Sequence, residues 1–141
     1  DTTTPTTCPT CGHKPRTYYP ARTELYSVDD IRAVMTGAGS HWWDCATFRS
    51  FRCRVDEGQT LHTMPDGRVA FISSEQFEGS DGRRDPRRYT VRLFDPAKWH
   101  DANLNNLGGF QAYATLRAAR LAILKAGGMP TVGVPLAEVT R

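Results

Sequence analysis

Cys8 and Cys11 stand two residues apart in TTCPTCGHKPRT (6–17), with a glycine and His13 directly after them. Two thiolates at that spacing supply half of a tetrahedral zinc site, and a structural site closes with four nitrogen or sulfur ligands. The remaining candidates are His13, His41, Cys45, Cys53, His62 and His100. Cys45 with Cys53 is the first choice, giving a structural zinc that ties the amino-terminal segment to the start of a sheet. That pair has no standard knuckle spacing, however, and Cys53 alternates with Phe51 and Val55 as a core cysteine would. His41 and Cys45, four apart, offer ligands from one helical turn instead. Two alternatives stay open: a redox pair, which wants a βαβ context not seen here, and a site completed across a symmetric homo-oligomer.

Arginine is the second chemical signature. Of 18 basic residues only Lys14, Lys98 and Lys125 are lysines. The guanidinium fork suits phosphate, carboxylate and aromatic faces, although a GC-rich coding sequence produces the same bias. In FRCRVD (51–56) and RRYTVRLF (87–94) the alternation sets Arg52, Arg54, Arg88 and Arg92 opposite an apolar face. The polar loop before the second stretch adds Arg83 and Arg84. A row of this kind suits a nucleic-acid backbone. Asp56, Glu57, Asp81 and Asp85 are interleaved with it, and a net charge of +3 is modest for a dedicated binder.

A third signature is aromatic. HWWDCATFRSF places Trp42, Trp43, Phe48 and Phe51 close together. Adjacent tryptophans cannot both face one core from regular structure, so one of them is a candidate anchor for a host or virion protein. Catalytic patterns are missing. No GxSxG, no HExxH and no phosphate-cradling glycine loop occurs, and Ser73, Ser74 and Glu75 stand together at a strand end without a base. The expectation is a binding protein and not an enzyme.

The elements that must carry these residues follow from pattern. A chain of 141 residues is one domain with room for a core. Residues 1–24 read as a flexible Thr/Pro tail with the zinc knuckle, 25–128 as the domain and 129–141 as an extended arm. YSVDDIRAVMTGAG predicts a short helix, with Ser27 as N-cap, Asp29 and Asp30 at its positive end, and Ile31, Val34 and Met35 as its apolar stripe. Four strands follow: 51–56, 60–64 after a DEGQ turn, 68–74 after a PDG hairpin turn, and 87–94. A loop at 75–86 and an irregular connector at 95–108 separate the rest. GFQAYATLRAARLAILKAGG predicts a long, largely buried helix ended by Gly127 and Gly128. The expected fold class is therefore α+β: a short helix, a four-strand antiparallel meander and a long C-terminal helix packed on the sheet. Phe51, Val55, Phe71, Tyr89 and Leu93 would face that helix. With no apolar run of membrane-spanning length and no signal-peptide pattern, a cytoplasmic or virion setting is expected, without a membrane partner.

The phrases WWDCATFRSF, ISSEQF, RRYTVRLF and FQAYATLRAA, spread over residues 41–120, resemble a pattern in small proteins of bacteriophages and mobile elements. The resemblance implies an origin and no activity, and CPTCGH lies outside it. The combined expectation is a zinc-stapled, non-catalytic protein that binds nucleic acid through an arginine-bearing sheet face. The alternative is a protein-interaction component, a virion part or an inhibitor of a host protein, built on Trp42 and Trp43.

Overall fold

The computed structural model describes residues 24–37, 53–56, 58–101, 104–131 and 133–136. In chain order the elements are β1 (Glu24–Leu25), α1 (Val28–Gly37), β2 (Arg54–Val55), β3 (His62–Thr63), β4 (Val69–Glu75) and β5 (Arg88–Phe94). A 3-10 segment (Pro96–Asp101), β6 (Leu104–Leu107), α2 (Leu116–Lys125), β7 (Met129–Pro130) and β8 (Val134–Pro135) complete the elements of the described residues. The main sheet is antiparallel in the order β6-β5-β4-β3-β7, with β2 also on β4, while β1 and β8 form a separate ribbon.

β4 is the centre of the molecule. All seven of its residues are buried, so the strand is covered on both faces, and VAFISSE accordingly lacks a polar-out alternation. Its odd-numbered residues Val69 and Phe71 join a core with Leu25, Val28, Ile31, Val34, Met35, Phe94 and Trp99 under α1. Its even-numbered residues Ala70 and Ile72 join Val91, Leu93, Ala119 and Ile123 under α2. The sheet thus lies between two helix-bearing layers, each with its own apolar core.

Local chemistry explains the helix starts and the tight turn. In α1 the Asp30 carboxylate accepts from the backbone of Tyr26 (2.7 Å) and Ser27 (3.1 Å), and the Asp30 N–H donates to Ser27 Oγ at 3.4 Å. This is a reciprocal cap, and Ile31, Val34 and Met35 are buried as their spacing predicts. The PDG turn also forms as expected, with Gly67 at φ 90 and its N–H donating to Met64 O at 2.9 Å.

The expected α+β meander is not what the chain builds. The described residues are mostly β, with two short helices, and β2 and β3 do not pair with each other. Both run antiparallel to β4, in the registers Arg54↔Ser74 and His62↔Ala70. They are one edge interrupted by a detour, since Val55 pairs with Ser73 and His62 with Ala70, which leaves Phe71 and Ile72 between the two registers. The side chain of Gln59 fills the gap. Its Oε1 accepts from Ile72 N–H at 2.7 Å, and its Nε2 donates to Ile72 O at 2.8 Å. An amide side chain here replaces a strand peptide, so the stretch read as a hairpin turn keeps β4 paired without reversing the chain.

The C-terminal helix is also shorter than expected, because it begins only at Leu116. Thr115 caps it, with Oγ1 accepting from Ala118 N–H at 3.0 Å. The preceding residues are drawn to the sheet instead. Gly108 and Gly109 take positive φ, and Tyr113 forms a backbone bridge with Tyr89. Within α2 only Ala119 and Ile123 are buried, while Leu121 and Leu124 are 44% and 53% exposed, so the expectation of a largely buried helix fails as well. The 95–108 connector holds the 3-10 segment and β6. Finally, Phe71 pairs with Arg92 and lies on the α1 side, whereas Tyr89 and Leu93 pack toward α2, which corrects the expected common inner face.

Candidate functional site

The arginine row divides between the two faces of the sheet. Arg54 lies opposite Ser74, while Arg88 lies opposite Glu75 and Arg92 opposite Phe71, and neighbouring positions of a strand alternate faces. Arg54 is thus on the α2 side, and Arg88 and Arg92 are on the α1 side. The latter two are engaged within the fold. Arg88 donates from Nε to Gln111 O at 2.8 Å and from an Nη to Ala112 O at 3.3 Å.

Arg92 belongs to a buried cluster around Glu75, whose side chain is almost wholly inaccessible. Glu75 accepts from Ser73 Oγ at 2.7 Å, from Thr90 Oγ1 at 2.5 Å, from Arg92 at 3.3 Å and from Cys53 Sγ at 3.3 Å. Arg92 Nε also donates to Ser73 Oγ at 2.9 Å, and the Gln111 N–H donates to Thr90 Oγ1 at 2.9 Å. The last bond holds Gln111 in left-handed backbone, φ 56, and brings Phe110 over the Arg92 guanidinium, 5.5 Å from the ring centroid. Three of these donors meet Oε2 and one meets Oε1, so the buried carboxylate ties β4 to β5 as a structural lock.

Cys53 is part of that lock. Burial, and then the adjacent Glu75 charge, push its thiol up to about 12. That environment keeps the proton on sulfur and does not suit a zinc thiolate. Cys8, Cys11, Cys45, Arg52, Trp42, Trp43, His13 and His41 lie outside the described residues.

On the other face the sheet opens into a cleft of about 520 Å³ between the β2–β3 edge and α2. Arg54, His62, Tyr89 and Arg120 contribute polar groups, and Leu116, Ile123 and Leu124 form an apolar wall. Among the described residues no carboxylate forms an ion pair with Arg54 or Arg120. Asp56 also lines the cleft, and its Oδ1 accepts the Gly58 N–H at 2.9 Å. Arg87 donates to Ser74 O and Oγ at 3.2 and 3.0 Å. Desolvation, followed by the charge of Arg54, depresses the Arg87 guanidinium below its ordinary range, which places two cations side by side at this end of the sheet. The loop from β4 to β5 extends from the same end. There Arg83 is almost fully exposed, 3.7 Å from Asp81, and Arg84 stands 4.0 Å from Glu78.

A model of a family of unknown function, DUF7447, matches residues 27–124. The chain belongs to the DUF7447 family. Comparison with curated proteins and with solved structures gives no match. The DUF7447 region takes in α1, the whole of β4 and β5, the Glu75 cluster and most of α2, so both the lock and the cleft are features of the matched stretch.

The alternation in the sequence points to Arg54, whereas the reading of a largely buried C-terminal helix passes over Arg120. His62 enters the sequence reading as a metal candidate. A signal for the cleft did exist: Arg117, Arg120, Leu121 and Leu124 recur at helical spacing opposite Ala119 and Ile123, the pattern of a helix with one exposed face. For the lock the signal was a lone carboxylate closing the otherwise uncharged strand VAFISSE, with Arg92 on the partner strand.

Proposed function

We propose that this protein is a non-catalytic nucleic-acid-binding protein, an accessory factor of a phage or mobile element, and that the arginines around the α2-side cleft carry the contact. The supporting observation is the separation of roles among the arginines. Arg88 and Arg92 are held by internal acceptors, while Arg54 and Arg120 flank an open cleft without a carboxylate partner among the described residues. Arg83 and Arg84 extend the cationic surface from the loop at the Arg54 end. A flexible guanidinium at a cleft rim contacts backbone phosphate without reading base sequence, so sequence-independent binding is expected. The zinc staple remains part of the proposal at Cys8 and Cys11, with Cys45. Cys53 would join it only by giving up its bond to Glu75, and the zinc content of a Cys53→Ser variant decides its membership. The setting proposed is the host cytoplasm or the virion.

The test is anisotropy of a labelled oligonucleotide, titrated with the full chain from about 50 to about 300 mM salt. Affinity should fall steeply with salt, and Arg54→Ala with Arg120→Ala should both weaken binding and flatten the salt slope by about one unit per lost phosphate contact. Binding with no salt dependence would refute it. One observation favours a second reading, a protein-interaction component: Leu121, Leu124 and Met129 are exposed, Met129 to 69%. A salt-insensitive complex with a protein, broken by Leu124→Ser, would support that alternative, as would one broken by Trp42→Ala or Trp43→Ala.

A further inference from the structure

We infer that the α2-side cleft is a pocket for a phosphate ester of a flat, largely apolar group: a nucleoside phosphate, presented either as a free nucleotide or as the end of a strand. The inference deepens the nucleic-acid reading and rests on it for the second of these sources.

His62 is the starting observation. Its Nδ1 is buried and has no hydrogen-bond partner, although the residue lines the cleft. A buried N–H without an acceptor is the costlier orphan, whereas a bare lone pair is tolerated more often. With Nδ1 shut off from any partner, Nε2 is the nitrogen through which His62 can donate to the cleft. β3 fixes the ring in place, because His62 is held by β4 on one side and by β7 on the other, opposite Ala70 and Pro130.

Arg54 on β2 and Arg120 on α2 supply two guanidiniums to the same space. Donor-bearing residues from three elements line one cleft, with Asp56 the single carboxylate lining it among the described residues. That donor set suits a doubly charged phosphate monoester, which accepts several charge-assisted hydrogen bonds. The rest of the cleft is a different surface. Leu116, Ile123 and Leu124 make an apolar wall, and Tyr89 adds a half-buried ring. A volume of about 520 Å³ lies in the usual range of small-ligand pockets. A sugar phosphate alone would leave that wall unsatisfied, whereas a planar base covers it while its phosphate meets the arginines.

The experiment is calorimetry on the full chain with AMP, adenosine and inorganic phosphate as probes. It is paired with anisotropy of one short single strand carrying a 5′-phosphate, a 3′-phosphate or no terminal phosphate. AMP should bind at least about tenfold more tightly than adenosine or phosphate, and His62→Ala and Arg120→Ala should each weaken AMP by about tenfold. Arg120 is exposed, so its loss leaves the fold intact and keeps the test valid should His62→Ala fail to fold. A strand end as the natural source predicts preference for one terminal phosphate and displacement of that strand by AMP. A free nucleotide as the source predicts AMP binding that a long strand does not displace. Equal binding of AMP and adenosine, or AMP binding untouched by Arg120→Ala, overturns the inference. If strands bind with a steep salt dependence but ignore both the terminal phosphate and AMP, this inference fails and the nucleic-acid proposal stands. If AMP binds through Arg120 and no strand binds, the pocket stands and the nucleic-acid proposal fails.

Discussion

Gln59 lends β4 the peptide partner that the 56–61 detour takes away. Gln59→Leu removes both bonds and leaves the Ile72 N–H and C=O without them, at a cost of about 1–3 kcal/mol. Denaturant unfolding should show that loss, and amide exchange at Ile72 should accelerate more than at Phe71. Glu75 holds four donors at once, so Glu75→Ala should cost about 3–5 kcal/mol, well above Ser73→Ala, by the same measurement. Cys53 has a thiol pushed from 9.0 to about 12, so at pH 8 it stays protonated in the folded chain and should react with iodoacetamide far more slowly than in denaturant. The same shift sets a sign for stability. The unfolded thiol ionises near pH 9 and the folded one near pH 12, so the folded state binds more protons between them and this contribution is lost as pH rises through that window.

Among the elements, α2 carries the sharpest contrast, because buried Ala119 and Ile123 stand opposite an exposed face. Ile123→Ala should lose about 2–5 kcal/mol through the cavity it leaves, while Leu121→Ser should stay within about 0.5 kcal/mol, as thermal melts of the two variants will show. The elements that were legible in the sequence are those whose local pattern and tertiary role agree. The cap at Ser27 with the Ile31, Val34 and Met35 stripe gave α1, and the PDG turn between apolar runs gave β4. RRYTVRLF gave β5 by simple alternation. What was illegible is where a tertiary contact replaces a local rule. A glutamine that imitates a strand peptide carries no periodic signal, so DEGQ (56–59) reads as an ordinary turn. Residues 110–114 are acceptable helix formers that the Tyr89–Tyr113 bridge pulls onto the sheet. LNNL is too polar and too short to announce β6, which nonetheless pairs with β5 along four positions.

At the scale of the whole molecule, the decisive fact is that β4 has no solvent face. A two-layer fold would have left one side of the sheet free for an arginine row, and that assumption put Arg54, Arg88 and Arg92 together. With helix-bearing layers on both sides, the same arginines fall into a structural lock under the α1 side and a rim around the cleft on the α2 side. Arg54 was found from sequence because alternation is local; its separation from Arg92 depends on the register between β2, β4 and β5, which only the folded sheet defines. Among the described residues no helix is long and apolar enough to cross a membrane. The central claim is that the cleft side, and not the Phe110–Arg92 side, meets nucleic acid. Backbone amide shifts of the labelled protein, recorded as a single-stranded oligonucleotide is added, test it most directly. The account predicts perturbations at Arg54, at 58–62 and along the exposed face of α2, with Phe110 and Asn106 unmoved. Shifts centred on Phe110, Asn106 and Arg92, or none at all at saturating oligonucleotide, would contradict it.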